Sequence, residues 1–224
     1  MDMELFEIRR CTSEKCKLRF SVGVDVKHRY YCPVCHSNTV IVEQFSRRII
    51  KHEAPLDQTK LVVVADNIRS TWNVGAIFRA SDGCGVNHIY LCGITPTPDH
   101  SGVTKTALGA ENNIAWSHHN DGLNLIISLK NQGYTLLALE GGEGSESLFS
   151  IIQEIPSTTP LAIIVGNELT GIDPGLIREC SEIGYLPMLG QKQSLNVAVA
   201  FGIAIYTIRF GRVRDNCYAC NGLV

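Results

Sequence analysis

Four short apolar runs constrain this chain more than anything else in it: Leu61-Val62-Val63-Val64-Ala65, His88-Ile89-Tyr90-Leu91-Cys92, Tyr134-Thr135-Leu136-Leu137-Ala138-Leu139 and Leu161-Ala162-Ile163-Ile164-Val165. Each ends in turn residues, and helical patterns lie between them, residues 120–131 being the clearest. Runs this apolar are strands buried on both faces, as in a parallel sheet covered by helices. The expected fold class is therefore α/β, a mostly parallel sheet with helices on both faces. Ligands of such sheets bind at the carboxyl ends of the strands. Glycines gather there: Gly93, Gly141-Gly142, Gly166 and Gly190. Neither a G-x-G-x-x-G turn nor a P-loop lysine follows the first run, which argues against dehydrogenases and nucleotide hydrolases. A ligand that lacks a pyrophosphate, such as an adenosyl sulfonium, suits these turns better.

The first quarter of the chain is built differently. Four residues separate Cys11 from Cys16, two separate Cys32 from Cys35, and fifteen lie between the pairs. That is close to the spacing of a four-cysteine zinc ribbon, in which two tight knuckles each present two thiolates. Phe20, Val22, Val24 and Val26 alternate with polar or small residues, the period of a strand. A module of this size has too little apolar material to fold alone, and a structural Zn2+ on Cys11, Cys16, Cys32 and Cys35 is a usual remedy. Cys32-Pro33-Val34-Cys35-His36 also has the form of a haem-attachment site, but the second cysteine pair and the lack of an export signal argue against it. His36 is expected at the surface. His28, Arg29, Tyr30 and Tyr31 either contact RNA or cover the metal site.

The 224 residues divide into a module over 1–55, a large domain over 56–213 and a tail over 214–224. Residues 1–55 carry 10 Lys and Arg against 7 Asp and Glu, whereas 56–224 carry 10 against 15. Any basic RNA surface is therefore local, and Arg9, Arg10, Lys15, Lys17, Arg47, Arg48 and Lys51 are its candidates. No apolar run approaches the roughly 20 residues of a membrane span, and the acidic N-terminus is unlike a signal peptide, so the expectation is cytoplasmic with no membrane partner. In that compartment Cys84, Cys92 and Cys180 read as packed thiols and the Cys217/Cys220 pair as free thiols on the tail. His118 and His119 read as surface residues.

Three ordered segments carry the functional signal. They are Asn73-Val74-Gly75-Ala76-Ile77-Phe78-Arg79, Ile164-Val165-Gly166-Asn167-Glu168-Leu169-Thr170-Gly171, and Leu186 to Ala200, in which Ser194-Leu195-Asn196 opens a helix. That helix, expected over 194–209 with Ser194 as N-cap, is apolar nearly all round and must be buried on more than one side. As a set the segments resemble the three motifs of the SpoU/TrmH-type methyltransferases of the SPOUT superfamily, over roughly residues 56–210. Lys105 to Glu111 is similar to a stretch found between the first two motifs in many members. Cys84, before Gly85, stands where an aromatic is usual.

The resemblance implies a C-terminal trefoil knot, S-adenosyl-L-methionine held in the knotted loops, a homodimer with sites built from both chains, and methyl transfer to a ribose 2'-hydroxyl of structured RNA, tRNA or rRNA. It implies catalytic roles for Arg79, Asn73, Glu168, Ser194 and Asn196, with Glu168 holding Asn or Arg side chains across the dimer. It places the methyl donor against Leu139, Glu140, Gly141, Gly166, Glu168, Leu186, Met188, Ser194 and Leu195. Alternatives are an RNA-binding or assembly factor with the same fold and little catalysis, and a base-directed methyltransferase. For Arg79 and Glu168 the bland alternative is a buried ion pair.

Overall fold

The computed structural model describes residues 4–47 and 59–211. Cys217, Cys220, Arg48, Lys51 and the 214–224 tail lie outside these residues. The chain divides into two compact units, residues 1–56 and 57–224.

The first unit is a three-stranded antiparallel sheet of order β2-β1-β3, from β1 (Glu4–Cys11), β2 (Arg19–Gly23) and β3 (Thr39–Arg47). Val24 and Val26 lie beyond the end of β2, so the expected strand is shorter than its alternation suggests. Its charged residues are not all outside. Glu7 and Arg9 are buried, Arg9 donating to Glu7 at 2.5 Å and to the Thr39 hydroxyl at 2.8 Å. Arg9 is therefore removed from the candidate RNA surface, whereas Arg10, Lys15, Lys17 and Arg47 are exposed.

The second unit is a seven-stranded sheet of order β6-β5-β4-β9-β7-β10-β8, parallel in every pairing. Its strands are β4 (Leu61–Asp66), β5 (His88–Cys92), β6 (Ala115–His119), β7 (Thr135–Leu139), β8 (Glu146–Ser147), β9 (Leu161–Val165) and β10 (Glu182–Tyr185). The central strands β4 and β9 are buried on both faces, as their continuous apolar sequences require. One face is covered by α1 (Thr71–Gly83), α2 (Ser101–Ala107), α4 (Leu148–Glu154) and α6 (Val197–Phe210), whose Phe78, Val103, Ile151 and Phe201 meet Val63, Ile89 and Ile163. The other face takes α3 (Gly122–Asn131) and α5 (Pro174–Glu179) through Ile126, Leu129 and Leu176. Cys84 and Cys92 are buried in these layers.

Gly75 exists for the first layer. A Cβ there would lie 2.6 Å from the Thr106 Cβ and 2.7 Å from the Val103 carbonyl, so only glycine lets α1 approach α2 this closely. No helix among the described residues is long and apolar enough to cross a membrane.

Candidate functional site

Glu168, in the loop after β9, accepts from three donors at once. Its carboxylate takes the Arg69 amide at 2.9 Å, the Ser70 amide at 3.0 Å and the Asn73 side-chain amide at 2.8 Å. A carboxylate can only accept, so Asn73 must point its NH2 at Glu168 and its carbonyl away. That carbonyl accepts from the Asn196 side-chain amide at 3.1 Å. Asn196 in turn is left with its own carbonyl oxygen, which accepts from Ala198 N at 2.9 Å and Val199 N at 3.3 Å and so caps α6. One directed chain of hydrogen bonds thus joins the three sequence segments.

The geometry corrects two expectations and excludes one alternative. The N-cap of the last helix is Asn196 and not Ser194, and the helix begins at Val197, because the carboxamide reaches two amides of the first turn. Glu168 holds Asn73 of its own chain. Arg79 forms no ion pair with Glu168: it is exposed on α1 and has no partner among the described residues. It lies six positions further along the helix than Asn73, about 9 Å along the axis.

Burial alone would raise the Glu168 carboxyl, but the hydrogen bonds from Arg69, Asn73 and Ser70 outweigh it and hold the group below the usual carboxylate range.

Beside this chain of bonds lies a cavity of about 440 Å³ at the carboxyl ends of β7, β9 and β10. Leu139, Glu140 and Gly141 line it after β7, Gly166 and Glu168 after β9, and Leu186, Met188, Ser194 and Leu195 after β10. Asn196 also lines it, whereas Asn73 and Arg79 do not. Sequence reasoning missed Asn167, Leu169, Gly171, Gly184, Tyr185, Gln193, Val197 and Ala200. Asn167 was legible as a loop builder: its carbonyl oxygen accepts from the Leu169 and Thr170 amides at 2.9 and 3.2 Å, and its NH2 donates to the Asn67 carbonyl at 2.7 Å. Gly166 lets this loop fold over its own strand end, since a Cβ would fall 2.3 Å from Ile172 N. The wall is chemically mixed, with apolar side chains, exposed loop backbone and two carboxylates, Glu140 and Glu168. Glu140 is itself fixed by accepting from Ile172 N at 3.1 Å.

His119 is half-buried, against expectation, because Ser117 bridges it to His88 with 2.9 Å contacts to each ring; His118 is exposed.

In the N-terminal unit the four thiols of Cys11, Cys16, Cys32 and Cys35 all lie within 4.8 Å of one another. Cys11 and Cys35 are 3.4 Å apart and Cys16 and Cys32 3.7 Å. A tetrahedral site with bonds of about 2.3 Å places its sulfurs about 3.8 Å apart, so the set fits a four-coordinate ion. The two knuckles are alike: the residue after each second cysteine, Lys17 at φ 51 and His36 at φ 59, turns left-handed. His36 is exposed, as expected. Tyr30 lies over the Arg9 and Arg29 guanidiniums at 5.2 and 4.5 Å, so its ring covers the Glu7/Arg9 cluster.

The model of the SpoU rRNA Methylase family matches residues 60–206, which hold all three segments. The chain belongs to this family. It is 29% identical over 164 residues to the tRNA (guanosine(18)-2'-O)-methyltransferase of Aquifex aeolicus, covering 72% of this chain and 74% of that one. It is 30% identical to the 23S rRNA (guanosine(2553)-2'-O)-methyltransferase RlmP of Bacillus subtilis, spanning 70% of this chain and 61% of that protein. In three dimensions it is similar to the A. aeolicus TrmH/SpoU tRNA modifying enzyme (TM-score 0.61, 28% identity, 68% of this chain and 75% of that one). It is also similar to an AdoMet-bound rRNA methyltransferase from Sinorhizobium meliloti (TM-score 0.62, 25% identity, 78% and 65%). The family match begins after the cysteine module.

Glu168→Gln tests the carboxylate's part in the site. A lowered carboxyl stabilises the fold above its ordinary value of 4.5 and loses that contribution as pH falls through its folded value. The variant should melt below the native protein at neutral pH, and the gap should narrow as pH falls below 4.5. Melting curves across pH read this directly.

Proposed function

We propose that this protein transfers a methyl group from S-adenosyl-L-methionine to a ribose 2'-hydroxyl of tRNA or rRNA. The observation that carries the reading is the Glu168, Asn73, Asn196 chain of hydrogen bonds beside a cavity walled by the loops of β7, β9 and β10. The names of the relatives, on both tRNA and rRNA, support the substrate class.

The cavity residues fit the donor. Leu139, Leu186, Met188 and Leu195 give an adenine ring apolar walls, and the strand-end backbone gives it hydrogen-bonding edges. Glu140 offers a carboxylate to hydroxyl groups. When bound, S-adenosylmethionine supplies a methyl group made electrophilic by its sulfonium. The protein's remaining tasks are to orient the ribose and to manage charge as its hydroxyl loses a proton. Arg79 suits the second: a guanidinium, with five N–H donors in a fixed fork and no acceptor, holds an RNA phosphate more readily than it removes a proton.

Arg79 lies on the surface of its own protomer and away from the cavity lining, which supports a site completed by a second copy. So does α6. Its buried face carries Phe201, Ala204, Ile205 and Ile208, while Val199, Ile203, Tyr206 and Phe210 form an exposed apolar stripe at spacings of three and four residues. A homodimer covers that stripe. The knot implied by the resemblance belongs to the same reading. It is supported by α6, which packs on α1 after a segment that leaves β10, on the far side of β9.

The cysteine cluster is read as a structural Zn2+ site. Purified protein should carry about one zinc per chain by elemental analysis, and Cys32→Ser should lose it and the cooperative unfolding of residues 1–56.

Labelled methyl donor, incubated with size-fractionated RNA, should yield a 2'-O-methylnucleoside in one pool. Arg79→Ala should lower that yield by at least about 100-fold with donor affinity unchanged. A methylated base would instead favour base-directed transfer. Donor binding without transfer to any RNA would favour a binding factor.

A further inference from the structure

Trp72 is a large aromatic residue left almost wholly in water, 74% exposed, beside the proposed site. The chain has two tryptophans, and Trp116, by contrast, packs against the core. Trp72 sits in the first turn of α1, one residue before Asn73. Leu169, 76% exposed, lies on the rim of the cavity, one residue after Glu168. The 2.8 Å bond between Asn73 and Glu168 ties together the two chain segments that carry these exposed apolar residues. Arg69 joins them. Its amide is held by Glu168 at 2.9 Å, while its side chain is exposed and without a partner among the described residues.

The surroundings decide what such a ring is for. A protein partner would call for a continuous apolar patch, like the stripe along α6, but around Trp72 the sequence is Arg69, Ser70, Thr71 and Asn73. One flat ring, one aliphatic side chain and one free guanidinium among polar groups match a nucleotide: a base to stack, an edge to cover and a phosphate to hold. Glu168 holds the backbone before the ring through the Arg69 and Ser70 amides and the side chain of Asn73 after it, so the start of α1 is fixed before RNA arrives.

We propose that Trp72 stacks on an unpaired nucleobase of the RNA substrate, next to the ribose that is methylated, with Arg69 on the adjoining phosphate. This rests on the reading of the protein as an RNA ribose methyltransferase and names the substrate feature it selects: a nucleotide whose base is out of the helix stack. Trp72 is a positioning residue and does not touch the reacting atoms.

The test uses Trp72 as its own reporter. In full-length Trp116→Phe protein it is the sole indole, and should that variant not fold, the difference between native and Trp72→Phe emission reads the same signal. Titration with a short mixed-sequence oligoribonucleotide should quench the emission to saturation, and an abasic version of the same chain should not. Trp72→Ala should raise KM for the methylated RNA pool by about 5- to 150-fold, the loss expected of one base stack, with donor affinity unchanged. Trp72→Phe should recover most of it. The proposal is overturned if the emission of the free protein is already blue-shifted and shielded from a soluble quencher, which would mean a second copy covers Trp72. It is overturned equally if Trp72→Ala leaves KM unchanged. Quenching with no methyl transfer to any RNA would keep the stacking site and overturn the activity reading instead.

Discussion

The site depends on the carboxylate of Glu168 and on the fact that it can only accept. Because its three donors are the amides of Arg69 and Ser70 and the side chain of Asn73, it pins the loop after β9 to the start of α1. Because Asn73 must then present its carbonyl, the neighbouring Asn196 has to turn its NH2 inward and its oxygen toward the amides of α6. The polarity of one group thus propagates through two carboxamides to a helix cap. Removing any member leaves a donor or an acceptor unpaired, which costs more than the bond itself contributes.

The cavity follows from that arrangement. The loops after β7, β9 and β10 face one another only because β9 lies between β4 and β7 in the sheet, and β10 on the far side of β7. Glycine at 166 lets the second loop fold over its strand end, and Asn196 fixes where the third gives way to helix. What results is a mixed pocket without a phosphate cradle, which is the chemistry expected of a nucleoside carrying an uncharged base and no pyrophosphate.

Much of this was legible in the sequence, for identifiable reasons. Buried strands of a parallel sheet are apolar without interruption, so β4, β5, β7 and β9 stood out, and with them the loops that line the cavity. The outer strand β6, Ala115-Trp116-Ser117-His118-His119, was not legible, because an edge strand is half polar and here its Ser117 bonds His119 and, across the sheet, His88 of β5. Arg9 read as a surface cation because nothing local shows that Thr39 will close on it, beside its strand neighbour Glu7, once β1 and β3 pair. The N-cap went to Ser194 because a hydroxyl at the first position of the motif looks sufficient. Only the fold shows that Asn196 is placed to bond both Asn73 and the helix. Arg79 stood out by its motif, but that it does not line its own pocket depends on how α1 lies.

The measurement that tests the account most directly is a double-mutant cycle on donor affinity by calorimetry, with Asn73→Ala, Asn196→Ala and the pair. If the two residues act as one chain of bonds, each single change should weaken donor binding and the double variant should be little worse than the worse single, a coupling of about 1 kcal/mol or more. Losses that simply add would show that the two side chains act independently, and the hydrogen-bonded chain would not be what organises the site.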